Sequence, residues 1–517
     1  MTRALPTNGR NRLLTALDTA SESFIRRFEI DLRALAAFRI ALGTLVIVDL
    51  LLRSRNLTAF YTDDGVLPLE ALFSDYSSVY SLHALSGEAW VQALLFFVAG
   101  CFAVAMVVGY RTRLATVVSW LLLLSLHARN PMVLNGGDAL FRMLFLWAIF
   151  LPLGERWAID ARRTDRDRTT VASVGTMAVL LQVLLMYVTN AIHKTRSDVW
   201  MSGDAVVEIF QADHLTYLLG NVLAEQFFLL RTFSYVWMTL ILLSPLLIVL
   251  TDYRRAIITT LFVGMHLGMF VTLKIGLFPL ITVAGLVLFY PPVVWDRVTA
   301  LATRIGIATP LRRGLDRLQR GVPRRSIRDL SATHVARPVL PTVRARSRVL
   351  FSTAVPWLLL VLVVLSNASA VDYTEVPDPG ENVLDTADAD QGWRMFAPDP
   401  TSDARWLVVP GKLENGTRAD VFHGSAVSWD RPPSVEDSYE TMRWRKYALN
   451  TRYADNENHL SYFGNYLCNR WNRTHETGVE QVTIHGLTDR AAPYEEARIA
   501  VYELHEYDCS GEFIQRE

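Results

Sequence analysis

A chain of 517 residues with 51% hydrophobic and 20% charged positions is too apolar on average for an ordinary water-soluble enzyme, yet it keeps long polar stretches. Its 51 basic and 51 acidic residues cancel, but they are segregated along the chain, so the zero net charge says nothing about partners, and no nucleic-acid partner is expected. Three cysteines without a CxxC exclude a disulfide-rich scaffold and any cysteine-built zinc or iron–sulfur site, and no metal is expected.

The first 33 residues are polar and arginine-bearing, and the apolar run after them lacks a small-residue cleavage site. This predicts a cytoplasmic N-terminus and a retained first span, not a signal peptide. Apolar runs near the length that crosses ~30 Å of hydrocarbon fall at 34–52, 90–109, 114–127, 139–153, 171–192, 235–251, 255–273, 275–290 and 351–371. The third is brief and the fourth carries Arg142, so nine spans is the working number within a range of about eight to ten. The expected fold is a polytopic α-helical membrane protein with a β-rich domain at its C-terminus.

Lysine and arginine accumulate on the cytoplasmic side of membrane proteins. With the N-terminus inside, nine crossings leave Tyr110–Arg113, Glu155–Arg168, Asp252–Arg255 and the linker 291–350 in the cytoplasm, and each carries arginine. The linker is the most basic; its LRRGLDRLQRGVPRRSIRDL stretch has leucines at helical spacing, which fits a helix on the inner membrane surface or a solvated linker equally well. The same count places residues 372–517, with 27 acidic and 14 basic side chains, outside the cell membrane. Alternating runs at Ala404–Val409, Gln481–His485 and Ala497–His505 predict strands there, and His459–Trp471 predicts a helix. Cys468 and Cys509 share this oxidising-side domain and are expected to pair, whereas Cys101 lies in an apolar run.

Ionisable groups in spans are costly and face a bundle interior or a wet cavity. In this topology Asn135 and Asp138 before the fourth span, His193 and Lys194 at the end of the fifth, Lys274 after the seventh, Asp49 late in the first and Phe60–Asp64 after it all sit toward the outer face. Their convergence predicts one polar cavity opening outward. Plain alternatives stand beside this. Lys194 and Lys274 can be span-end lysines snorkelling to the interface. Asp138 and Arg142, four apart, can pair along one helix. His266 can be an interhelical hydrogen-bonding residue, Asp49 and Arg39 structural partners, and Trp200, like Trp90 and Trp120, a belt aromatic.

The segments FRIALG (38–43), FYTDDGVLP (60–68), RNPMVLNGGDALFR (129–142), MYVTNAIHKTRSDVWMSGDAV (186–206) and HLGMFVTLKIGLFPLI (266–281) occur in an order and spacing that resembles the HTTM family. That membrane domain is shared with vitamin K-dependent γ-glutamyl carboxylase. QGWRMFAPDP (391–400) is similar to the segment that follows the last span in prokaryotic members. In the carboxylase a base deprotonates a reduced vitamin K-type quinol, oxygen converts it to a strong base, and that base removes a glutamate γ-proton before CO2 is captured. The resemblance implies a menaquinol-like cofactor, O2 and CO2, with Lys194 as the initial base and His193 and His266 beside it. Asn135, Asp138, Arg142, Trp200 and Lys274 would line the substrate cavity. The chain departs from the pattern at Gly136 and Gly137, where the carboxylase has a histidine for the carbanion step. Carboxylation itself is therefore less well supported than quinol chemistry.

These readings lead to a membrane-embedded carboxylase-like enzyme that uses a lipid quinol to modify an unknown substrate, a polypeptide being one candidate, at the outer face of the bilayer. A non-enzymatic HTTM protein acting in secretion, maturation or protection of a partner is the alternative. A transporter is disfavoured, since no internal repeat or matching set of inner charges is evident.

Overall fold

Helices built from long apolar runs pack side by side, and a second, β-containing layer caps one end of them. The computed structural model describes residues 21–76, 80–163, 168–320, 350–386, 389, 391–400, 403–453, 456, 458–489 and 498–511. Residues 321–349, which include part of the basic stretch read above as a helix or linker, lie outside the described residues.

The main membrane-domain helices are α1 (Leu32–Ser54), α2 (Ala89–Val108), α3 (Thr112–Arg129), α4 (Gly136–Ala148), α5 (Val174–Thr195), α6 (Phe227–Leu242), α7 (Asp252–Thr272) and α8 (Phe278–Leu286). A ninth, α9 (Val355–Ala370), follows the basic linker. Local chemistry sets their starts. Asp31 caps α1 by accepting from the Arg33 amide at 2.7 Å, and Ser173 caps α5 by accepting from Thr176. A short antiparallel pairing of Ile30–Asp31 with Thr170–Val171 ties these two starts together.

Among the described residues five helices are long and apolar enough to cross a membrane: Leu32–Ser54, Ala89–Val108, Val174–Thr195, Asp252–Thr272 and Leu350–Ala370. A sixth arises if Phe278–Phe289 and Pro292–Arg304, bent by 107°, count as one span. The expected nine crossings are thus reproduced in part. The thirteen residues of α4 reach only ~20 Å at helical rise, α6 has sixteen residues, and α3 carries Arg113, His127 and Arg129 among its apolar positions. α4 is apolar because neighbours enclose it, whereas α6 turns Phe228, Tyr235 and Val236 outward from the bundle. The most enclosed span is α5, 72% buried against 28% for α2. Cys101 faces outward from α2, not into the bundle.

The C-terminal region contains strands β1 (Ala404–Val408), β2 (Pro410–Leu413), β3 (Arg418–Asp420), β4 (Val479–Asp489) and β5 (Ile499–Asp508), with helices α10 (Met442–Arg452) and α11 (Asn458–Thr474) between β3 and β4. β4 is central: β1 and β2 pair antiparallel along one edge and β5 along the other. A Cys468–Cys509 disulfide fastens α11 to the end of β5.

Between α9 and β1 the chain turns back into the helix bundle. Gln391 Oε1 accepts from Gln182 at 2.7 Å and from Asn367 at 3.1 Å, and Asn190 of α5 donates to the Trp393 carbonyl at 2.8 Å. Each buried amide finds a partner, as burial demands. The segment 391–396 is thereby fixed as a strap along the most enclosed helix.

Candidate functional site

Helical spacing sends Tyr187, Asn190 and Lys194 of α5 toward the same side, and together they line a cavity of ≈ 1020 Å³. The rest of its wall comes from the start of α4, residues between 200 and 223, α6, α7, Phe278 of α8, the strap, β1 and α10. Lys194 is 2% exposed, with Nζ 3.6 Å from the centre of the Trp200 ring and 5.6 Å from that of Trp237. No carboxylate or hydrogen-bond acceptor contacts this amine among the described residues. A snorkelling lysine would instead reach headgroups or water.

Opposite Lys194, His266 of α7 also lines the cavity. Its Nδ1 faces the Phe262 carbonyl at 2.9 Å, and its Nε2 lies 3.5 Å from the Tyr187 hydroxyl. Trp200 is held with its face toward Lys194 because Nε1 donates to the Phe396 carbonyl of the strap at 2.8 Å. It is a buried wall residue and not a belt aromatic.

The cavity has a lateral gap. Leu219, Phe233 and Leu261 line it and are 56%, 38% and 54% exposed on the outer surface of the bundle. On α7, Gly264 and Gly268 also line it, and a methyl group added to either would meet nothing within 4 Å.

Asn135 lines the cavity and closes the start of α4 in a capping box: its Oδ1 accepts from the Gly137 amide at 2.7 Å, and Asp138 accepts from the Asn135 amide at 2.9 Å. Gly136 and Gly137 form part of the same wall. A Cβ on Gly137 would stand 2.9 Å from that of Phe278 on α8, so a larger residue there requires the helices to separate.

Five expected cavity residues are placed elsewhere. Asp138 turns into a buried ionic cluster, where Arg53 donates to it at 2.6 Å and Arg443 of α10 at 3.2 Å. Asp49 joins this cluster, accepting from Arg53 at 2.7 Å and from Arg443 at 2.8 Å. Arg142 faces His127 at 3.2 Å, so the predicted Asp138–Arg142 pairing gives way to these tertiary partners. Lys274 is drawn off by Glu436, 3.2 Å away in the C-terminal domain. His193 points at the Gly392 carbonyl of the strap, 3.2 Å away, and positions that strap.

Asp49, His127 and Asp138 come close enough to hold a metal ion. Two guanidiniums already occupy that place, and they supply the positive charge that two buried carboxylates need.

Sequence reasoning did not reach Tyr187, Asn190 and Trp237, or the basic residues of α10. The first two stand seven and four positions before Lys194, a helical spacing that could have revealed them. The run Arg443–Trp444–Arg445–Lys446 is an unusual basic stretch within an acidic domain, and it was the available signal for α10. In the structure Arg445 and Lys446 line the cavity, with Arg445 donating to the His214 and Lys274 carbonyls at 2.7 and 3.0 Å.

This bundle with a buried lysine over an indole defines a helical membrane domain built around an internal cavity. The HTTM domain model matches residues 28–295, and the chain belongs to that family. It is similar to the Uncharacterized protein YitO of Bacillus subtilis (strain 168), 23% identical over 225 residues that cover 41% of this chain and 72% of the relative. No solved structure matches the chain.

Proposed function

We propose that the protein is a membrane-embedded carboxylase-like enzyme that uses a lipid quinol to modify a substrate at the outer face of the bilayer, with Lys194 as the base that starts the reaction. The observation that carries this reading is a buried lysine amine, with no carboxylate among the described residues to hold its proton, in a largely apolar cavity with a gap at its side. A quinol ring suits such a cavity, being flat, apolar and dissolved in the bilayer. When bound, it supplies with oxygen the strong base that the protein's own side chains cannot provide.

The chain's residues then have separable tasks. Trp200 and Trp237 border the amine and exclude water from it. Lys194 Nζ takes a proton from a hydroxyl placed against it, and Tyr187 with His266 offers a second polar edge to orient the ring. The strap and α10 together form the wall of the cavity on the side of the C-terminal domain. That domain is placed outside the membrane in this reading, on the charge bias of the loops.

Purified protein tested for oxygen-dependent turnover of menaquinol gives a direct check, because it requires no knowledge of the substrate. Lys194→Arg keeps a positive charge but removes the base. Turnover by the native protein and its loss in this variant support the proposal; full turnover in the variant rejects it.

A further inference from the structure

Six basic side chains line the cavity (Lys194, Arg394, Arg405, Arg445, Lys446 and Arg452), and among the described residues no aspartate or glutamate does. The nearest acids are already committed. Glu436 pairs with Lys274 at 3.2 Å, Asp403 with Arg405 at 3.2 Å, and Asp138 with Arg53 and Arg443. Lys446 has no hydrogen-bond or carboxylate partner among the described residues, and Arg445 is held by two backbone carbonyls. Burial lowers both, Arg445 to about 10, and the charge of Arg445 lowers Lys446 further.

Arg445 and Lys446, withdrawn from water and with no carboxylate in contact among the described residues, await a negative group. Helical spacing puts Arg445 and Arg452 seven apart on α10, with Lys446 beside them, so the basic wall is one rigid surface. The same cavity continues to the apolar gap beside Gly264 and Gly268. A charged end and an apolar side opening in one chamber match a molecule with both characters.

We propose that the cavity binds an anionic amphiphile, a phosphate or carboxylate carried on a single apolar chain, with its head at Arg445 and Lys446 and its chain toward the lateral gap. An acidic polypeptide is less well matched, because the walls leading to the gap are apolar. The assignment names a substrate class for the cavity and rests on the reading of that cavity as a reaction site. Binding is measured apart from turnover, so the two can fail separately.

The test is native mass spectrometry of the full-length protein in detergent, titrated with oleyl phosphate, oleyl alcohol, inorganic phosphate and a glutamate-rich peptide. Oleyl phosphate should bind one-to-one and at least about tenfold tighter than oleyl alcohol, the scale of one charge-assisted hydrogen bond. Lys446→Gln should weaken oleyl phosphate about tenfold while leaving oleyl alcohol unchanged, and Lys446→Arg should restore it. Equal binding of the alcohol and the phosphate by the native protein overturns the proposal, whether or not the variants fold. So does competition by inorganic phosphate or by the peptide at the same concentration as oleyl phosphate, which would assign the basic wall to a free anion or a polypeptide.

Discussion

Arg443 of the C-terminal domain donates to Asp49 of the first membrane helix at 2.8 Å, across 394 positions of sequence. With Arg53 and Asp138 it completes a cluster of two guanidiniums and two carboxylates in which no side chain is more than 11% exposed. The cluster fixes α10, and with it the basic wall of the cavity, to the end of the helix bundle.

Removing one member leaves buried charge uncompensated. Arg443→Met should destabilise the folded protein by about 3–5 kcal/mol. Thermal unfolding in detergent reads the loss, and limited proteolysis should release the C-terminal domain earlier than in the native protein. An unchanged melting temperature would show that the two carboxylates find other partners.

The disulfide between Cys468 and Cys509 closes a loop of sequence separation 41. In the chain-entropy account, Cys468→Ser costs roughly 4 kcal/mol. Alkylation of denatured protein without reductant, followed by mass spectrometry, should modify Cys101 alone. Alkylation at all three cysteines contradicts the pairing.

The topology proposed here puts Ser425 outside and Thr303 inside, and both are exposed. Single cysteines at these positions, in a Cys101→Ala background that keeps the disulfide, are to be labelled in intact cells with an impermeant thiol reagent. Labelling should occur at position 425 only. Labelling at 303 alone reverses the orientation.

His423 Nδ1 lies 2.9 Å from Asp420 and Nε2 lies 3.1 Å from the Ser438 carbonyl, closing the turn after β3. Burial disfavours the imidazolium, but the Asp420 hydrogen bond and charge outweigh it and raise the histidine above its ordinary value. A raised folded-state value means the contribution is fully present below the unfolded value of ~6.5 and is lost as pH rises through the folded one. Hydrogen exchange at the Phe422 and His423 amides should therefore quicken, beyond the intrinsic base dependence, as pH increases above ~6.5. His423→Gln should abolish this extra dependence; if it persists, another group is responsible.

Much of the helical framework was legible because apolar runs and loop charge are local signals. The strands at Ala404–Val408 and Val479–Asp489 followed from alternation, as did the helix Asn458–Thr474 from its periodicity. Helix α10 was not legible, since its basic residues face a cavity that only tertiary packing creates. Asp138 and Arg142 illustrate the same limit. Their spacing fits an intrahelical pair, yet Arg53 and Arg443 lie closer to the carboxylate in the fold than any local rule could show. The gathering of outer-end polar residues was anticipated as one cavity. The structure sends Asp49 and Asp138 to a neutralised ionic cluster, Lys274 to Glu436 and His193 to the strap, and leaves Asn135 and Lys194 in a cavity with no acid in its wall among the described residues. Composition cannot distinguish these, because both use the same residue types.

The central claim is that Lys194 is a base and not an anchor, and its most direct measurement is menaquinol turnover with oxygen by purified native, Lys194→Ala and Lys194→Arg proteins at matched folded concentration. Loss of a general base lowers a rate by about 10²–10⁴, so both variants should fall by at least about a hundredfold while retaining the native melting profile. Turnover by Lys194→Arg at the native rate would contradict the account.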